Sequence, residues 1–346
     1  MAKGEEGGSR GFNLRNVVAN IVRMIGVAVV LVLVVAAVAV WQEPLRWRLF
    51  AQDYFTLASH EPSALERRWS DDLQLTDRGK DIFYASRPEL IESDEFSEFC
   101  PTKEETNVLG CYLTSSKIYV LDVEVEEIEE VEEVTLAHEI LHGVWDRLSG
   151  DTQASLERQL LEYYRQIDDD ELNKLIAGYR RSAPVGQADA VTATELHSIF
   201  GTEYPDLSEQ LEEHYAQYFK DRSVVVELYQ SYDDEFDSRQ DRATELSNQL
   251  DQLNSEIADK NSLIDQQIAR NQRLVSEIEQ LRNDGRTEES NELVPVQNQL
   301  VDQINANIAD LNEMIERFNS IQRSYEQLSF ELNELYDSLD TRSPVQ

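Results

Sequence analysis

The sequence predicts an α+β chain, mostly helical: one apolar helix near the N-terminus, a helical domain with a small antiparallel β-hairpin, and a long helical hairpin at the C-terminus. Three patterns carry this expectation. An uncharged apolar run extends from Met24 to Trp41, two strand-like runs precede an amphipathic helix between Cys111 and Trp145, and apolar residues recur at heptad spacing from Leu246 to Leu339. They divide the 346 residues into a tail (1–23), the apolar helix (24–41), a domain (42–222) and the helical hairpin (223–346).

Residues 1 to 23 are Gly-rich and charged, which predicts a disordered tail. The run from Met24 to Trp41 would be about 27 Å long as a helix, enough to cross a hydrocarbon core once. Lys3, Arg10, Arg15 and Arg23 precede it, and only Arg46 and Arg48 follow in the next twenty residues. The positive-inside bias then puts the N-terminus in the cytoplasm and everything after Trp41 outside a cell membrane. A cleaved signal peptide is the alternative, since Ala37-Val38-Ala39 resembles a cleavage site, but the apolar run exceeds a usual signal core. The formal charge of -37 excludes nucleic acid as a partner, because each phosphate contact needs a basic group. Cys100 and Cys111, the only two cysteines, fall on the oxidising side and are expected to close a small disulfide loop. Two buried free thiols are the alternative.

In the domain, Pro62 to Trp69 predicts a short helix, and Thr76 caps another that runs to Ser86 before Pro88 stops it. Cys111-Tyr-Leu and Ile118-Tyr-Val-Leu flank the polar turn Thr114 to Lys117, a β-hairpin pattern. The next helix is expected to start between Asp122 and Glu126, where its glutamates suit the positive end of a helix dipole. Ile128, Val131, Val134, Leu141 and Trp145 share one face of it with His138 and His142, so both imidazoles point inward. Residues 152 to 181 give one or two helices broken at Asp168 to Asp170, followed by a loop at Ser182 to Gly186. Between Ala190 and Phe200, Glu195 lies in the apolar arc of Val191, Leu196 and Ile199 and faces the core, while His197 points about 160° away from it.

His138-Glu139-Ile140-Leu141-His142 has a spacing with chemical content. On a helix, two imidazoles four residues apart converge, and Glu139 sits one step round beside them. With Glu195 they make two neutral nitrogens and one carboxylate, a ligand set for Zn²⁺ that leaves a position open for water. A zinc-activated water with Glu139 as its general base would hydrolyse a peptide bond. Ala137-His138-Glu139-Ile140-Leu141-His142-Gly143 resembles the active-site helix of the gluzincin metallopeptidases, and Glu195-Leu-His-Ser-Ile-Phe-Gly-Thr202 is similar to their glutamate helix of the thermolysin type. The resemblance covers about residues 85 to 222 and implies a zincin-like fold, with His138, His142 and Glu195 as zinc ligands and Glu139 as base. The family commonly carries an Asp four residues after that glutamate to orient a ligand histidine; here it is Ile199, so the orienting group must come from elsewhere. For the oxyanion donor, His214, Tyr215 and Tyr218 are nearest in sequence, with His214 the catalytic candidate. Core packing is the alternative for all three.

After about Arg222, Leu246, Leu250, Leu253, Ile257, Ile264, Leu274, Ile278 and Leu281 keep a 4-3 alternation, with Lys260, Gln267 and Asn271 in missing seam positions. Asn283-Asp-Gly-Arg286 breaks the pattern, and Pro295 marks its restart through Leu339. Two near-equal arms predict an antiparallel coiled-coil hairpin, each arm about 65 to 70 Å. A parallel dimer of chains is the alternative. The expected whole is a membrane-anchored, extracytoplasmic zinc metallopeptidase acting on a protein or peptide, with a coiled coil that can engage an envelope protein. An inactive zincin-like scaffold, or a zinc amidase acting on envelope polymers, are the other readings.

Overall fold

The structure, a computed structural model, describes residues 29–341 except 36, 101–107 and 129. The expected tail and the first residues of the apolar run lie outside the described residues. Its helices are α1 (Val29–Gln42), α2 (Pro44–Ser59), α3 (Ala64–Asp72), α4 (Asp77–Ser86), α5 (Ser93–Phe99), α6 (Glu130–Arg147), α7 (Gly150–Tyr164), α8 (Asp170–Ser182), α9 (Ala188–Thr202), α10 (Glu209–Tyr215), α11 (Ser223–Asn283) and α12 (Thr287–Ser338). The strands are β1 (Glu89–Ile91), β2 (Gly110–Leu113) and β3 (Lys117–Leu121). Mostly helical with one small sheet, the chain is α+β.

Contacts divide it into two compact units. One holds the described residues of 1–91, 99–120 and 135–226; the other holds those of 92–98, 121–134 and 227–346. The last division falls after Val226, and the two short segments 92–98 and 121–134 group with residues 227–346.

In the first unit the helices start where short polar side chains accept backbone donors. Ser63 and Glu66 form a reciprocal capping box on α3, Thr76 caps α4, Ser149 caps α7, Ser208 caps α10, and Asp169 accepts from Glu171 N and Leu172 N at 2.9 Å each to start α8. Arg87, at φ 43°, turns the chain out of α4 ahead of Pro88. The sheet order is β1-β3-β2. The expected hairpin is therefore present, with Cys111 opposite Tyr119 and Tyr112 opposite Ile118, and an unforeseen third strand leaves β2 at the edge. Cys100 and Cys111 form a disulfide.

The helix carrying the histidines starts later than its acidic run predicts. A single 3-10 turn, Glu126–Ile128, precedes it, α6 begins at Glu130, and the Glu132 carboxylate reaches back to accept Val123 N at 2.9 Å. Glu130, Glu132 and Glu133 thus fall in the first turn, and Glu132 also serves the segment before it.

Among the described residues no single helix is long and apolar enough to cross a membrane. α1 and α2 together are, but they meet at 105°. Pro44, at the first position of α2, has no N–H to continue α1 and crowds the preceding turn, so a bend there follows from the sequence.

In the second unit α11 and α12 pair antiparallel within one chain. Ala243 packs on Leu328 and Leu332 near the helix bases, Phe236 meets Tyr336 with ring centroids 5.3 Å apart, and Arg282 Nε donates to Ser290 Oγ at 3.1 Å at the far end. Two of the three polar seam residues pair across it: Lys260 Nζ reaches Asn307 and Asp310, and Asn307 Nδ2 donates to Gln267 Oε1 at 2.9 Å. Gly285, at φ 77°, makes the turn, with Arg286 N bonded to Leu281 O and Gly285 N to Arg282 O. Both helices exceed the expected arms. α11 begins at Ser223, before its seam, and α12 runs through Pro295 from Thr287, because a proline in one early turn costs less than the helix gains around it.

Candidate metal centre

α6 supplies His138, Glu139 and His142, and α9 supplies Glu195. The inward face of α6 is apolar, with Leu141 and Val144 fully buried, which holds the two imidazoles at fixed height with ring centroids 5.0 Å apart. Glu195 Oε2 lies 3.7 Å from His138 Nε2 and 3.6 Å from His142 Nε2. The three ligand atoms fall within 4.8 Å of one another. Tetrahedral zinc with bonds near 2 Å separates its ligands by about 3.3 Å, close to the two imidazole–carboxylate separations, and two imidazoles with one carboxylate are donors of a type that ion accepts.

Burial opposes ionisation of Glu195, but the two imidazoles outweigh it, and the carboxyl is held below its usual range. The anionic form that a cation needs is thus favoured. Glu139 is 6% exposed and lines the same cavity, which has a volume of about 630 Å³. Edge strand β2 forms one wall, with Gly110, Tyr112 and Leu113, and α8 with the loop after it forms another through Tyr179 and Pro184. A Cβ at Gly110 would lie 2.5 Å from Thr135 Cγ2 and 3.0 Å from Glu139 Cγ, so the strand approaches the motif helix as closely as it does because this residue has no side chain.

Arg147, at the end of α6, ties this frame together. Its guanidinium is buried and donates to both Asp53 oxygens on α2 at 2.7 Å, to Tyr112 Oη at 3.2 Å, to Ser116 Oγ at 2.6 Å and to Gly143 O at 2.8 Å. One helical turn after His142, Asp146 also lines the cavity. Burial raises its carboxyl above the ordinary range, against the pull of Arg147, His142 and Arg48. His142 is thus among the groups that act on Asp146, while Ile199, where the resembling family carries its Asp, is buried in the core. The four-residue step from His142 to Asp146 was a readable signal. Tyr179 was not, since nothing local marks it among fourteen tyrosines.

His214 is elsewhere. Its Nε2 lies 2.8 Å from His197 Nε2, His197 is fully buried against Trp145, and Tyr215 Oη donates to the His197 carbonyl at 2.7 Å. His214 is not among the residues lining the cavity, so the expected oxyanion role has no geometric support. The cause is the direction of α10, which aims this side chain at α9 rather than at the ligands. Burial, then Arg78, lowers the His214 pKa to about 4, and burial, then His214 and the two histidines of α6, holds His197 well below the ordinary range. Both are neutral core residues at pH 7. His197 faces away from the ligands as helical projection expects.

No family model, curated protein or solved structure matches this chain.

Proposed function

We propose that the chain is a zinc-dependent metallopeptidase whose centre is held by His138, His142 and Glu195. One observation carries the reading: two helices bring these side chains within 4.8 Å of one another in a cavity that also holds a buried glutamate and the terminal strand of the sheet. Zinc there would supply Lewis acidity toward water and a substrate carbonyl. Glu139, next to His138 on α6, accepts the proton from the attacking water and returns it to the leaving amine. The edge strand β2 takes an extended peptide by backbone hydrogen bonding, and Tyr179 offers the developing oxyanion a phenol.

The anchor and the outward orientation belong to the same proposal. The disulfide between Cys100 and Cys111 favours an oxidising compartment, and the run Met24 to Trp41 supplies a single span. The hairpin, standing apart from the ligands in sequence, is the part that engages an envelope protein. A second reading, an inactive zincin-like scaffold, draws on the buried Ile199 where the resembling family places an orienting carboxylate.

Metal analysis and a peptide-cleavage screen on the full chain separate these. We expect about one zinc per chain, hydrolysis of some peptides, and a Glu139→Gln protein that keeps its zinc and loses the hydrolysis. Zinc bound with no cleavage by the unaltered protein supports the scaffold; no zinc at all refutes both.

A further inference from the structure

We propose that α2 is an interfacial helix, lying on the bilayer surface with an aromatic face in the headgroup region and its other face holding the metal-centre unit. The inference rests on reading Met24 to Trp41 as a membrane span, and goes beyond it by assigning a second, separate lipid contact.

The outer face of α2 is unusual for a helix in contact with water. At 100° per residue, Pro44, Trp47, Phe50, Ala51, Tyr54, Phe55 and Ala58 occupy an arc of about 140° that contains no charged residue. Trp47 and Phe50 are 40% exposed, Tyr54 72% and Phe55 70%. Solvent-facing aromatics at such density mark a surface that meets something other than water. The other side of the helix carries its contacts to the rest of the unit. Leu49 is buried, Arg46 Nε donates to Arg147 O at 3.2 Å, Arg48 Nη2 to Thr114 O at 2.8 Å, and Asp53 takes the Arg147 fork. Arg46 and Arg48 flank the aromatic arc on its two sides, where cationic groups border a lipid-facing surface.

Continuity identifies the occupant. The aromatic face follows directly on the apolar run, and Trp41 at the end of α1 is 81% exposed. The bend of 105° at Pro44 turns α2 nearly perpendicular to α1. A helix perpendicular to a spanning segment lies close to the bilayer plane, and Trp, Tyr and Phe are the side chains that settle at the headgroup level. A soluble partner protein would explain the aromatics but neither the bend nor their position one residue-turn beyond a span. Because α2 is clamped to Arg147 and to the β2–β3 turn, this contact would also set how the cavity faces the membrane.

The full chain reconstituted in phosphatidylcholine–phosphatidylglycerol nanodiscs tests this with nitroxide labels on single introduced cysteines, the native pair being oxidised. Labels go at Leu33→Cys in the apolar run, Tyr54→Cys and Phe55→Cys on the proposed face, and Asp168→Cys at an exposed break between helices. Collisional relaxation by oxygen relative to a water-soluble nickel chelate reports lipid contact. We expect positions 54 and 55 to exceed position 168 by at least about fivefold in this ratio, approaching position 33. If position 33 is in lipid and 54 and 55 match 168, α2 lies in water and the proposal fails while the anchor stands. If 54 and 55 are shielded from both reagents, protein covers the face and the proposal also fails. If position 33 itself is in water, the span reading falls and takes the proposal with it.

Discussion

Arg147 in the metal-centre unit donates to α2, to β2, to the hairpin turn and to its own helix, while Leu332 in the second unit packs on Ala243 and Leu328 in a contact repeated in kind along both helices. The first is a junction and the second a rung. A junction lets elements distant in sequence hold ligand atoms at fixed separations, as a metal centre requires. A ladder spreads its stability over many similar steps, so no single one is decisive. The buried side chains differ accordingly: Leu141, Ile140, Phe200 and Leu211 in the metal-centre unit are wholly inaccessible, whereas the hairpin seam residues Leu328, Leu332 and Leu335 each keep some exposure.

The sharpest way to break the contrast is at the ligands. Glu195→Ala or His138→Ala should lower zinc affinity by about a thousandfold, some 4 kcal/mol, as one share of a three-ligand site. Competition against a chromophoric chelator measures it, and Leu332→Ala in the hairpin should leave the affinity unchanged. A hairpin substitution that weakened zinc equally would end the distinction between the units.

Acid should act next, and on one unit only, because all five histidines lie in the metal-centre unit. In the folded chain His214 titrates near pH 4, whereas an unfolded imidazole takes up its proton near 6.5. The unfolded state therefore binds more protons between those values, and stability falls as pH drops through 6.5, levelling off near 4. His214 alone should account for about 3 kcal/mol of loss by pH 4, with His197 acting in the same direction. Urea unfolding in the presence of a chelator, followed by fluorescence of Trp145 against His197, should show it. A flat profile from pH 7 to 5 would mean that the pair is charged or open to water.

Smaller effects belong to the hairpin. Leu332→Ala should cost about 2 kcal/mol, near the low end for a buried leucine, because the seam is partly exposed and can close on the gap. Hydrogen exchange should confine the change to nearby turns. Lys260→Ala should cost less than about 0.5 kcal/mol, since its pairing with Asp310 at 3.2 Å is largely open to solvent. A loss of several kcal/mol at either position would make the hairpin a cooperative unit after all.

This contrast also governs what could be read in advance. The hairpin was legible because each rung obeys a local rule: the heptad, the Gly285 turn and even the polar positions Lys260 and Gln267 are visible in the order of residues. That His138, His142 and Glu195 come together was legible for the same reason, since i and i+4 on one helix fix a face and Val191 and Ile199 fix the side of Glu195. The junctions were not. That Arg147 gathers Asp53, Tyr112 and Ser116, that β1 joins β3, or that Tyr179 reaches the cavity depends on packing between distant segments. His214 shows the limit most clearly: nearness in sequence to the expected site put it in the chemistry, and the direction of a seven-residue helix put it in the core.

Gly110 has a consequence in the genetic code. Every amino-acid replacement reachable from a glycine codon by one base change introduces a Cβ, and here that atom meets Thr135 and the stem of Glu139 before anything else. No amino-acid replacement at this position leaves the glutamate untouched. Diversification of the cavity would have to proceed around that point, through residues such as Leu113, Tyr179, Pro184 and Val191, whose side chains face the open space and can change in size without displacing the group beside the histidines.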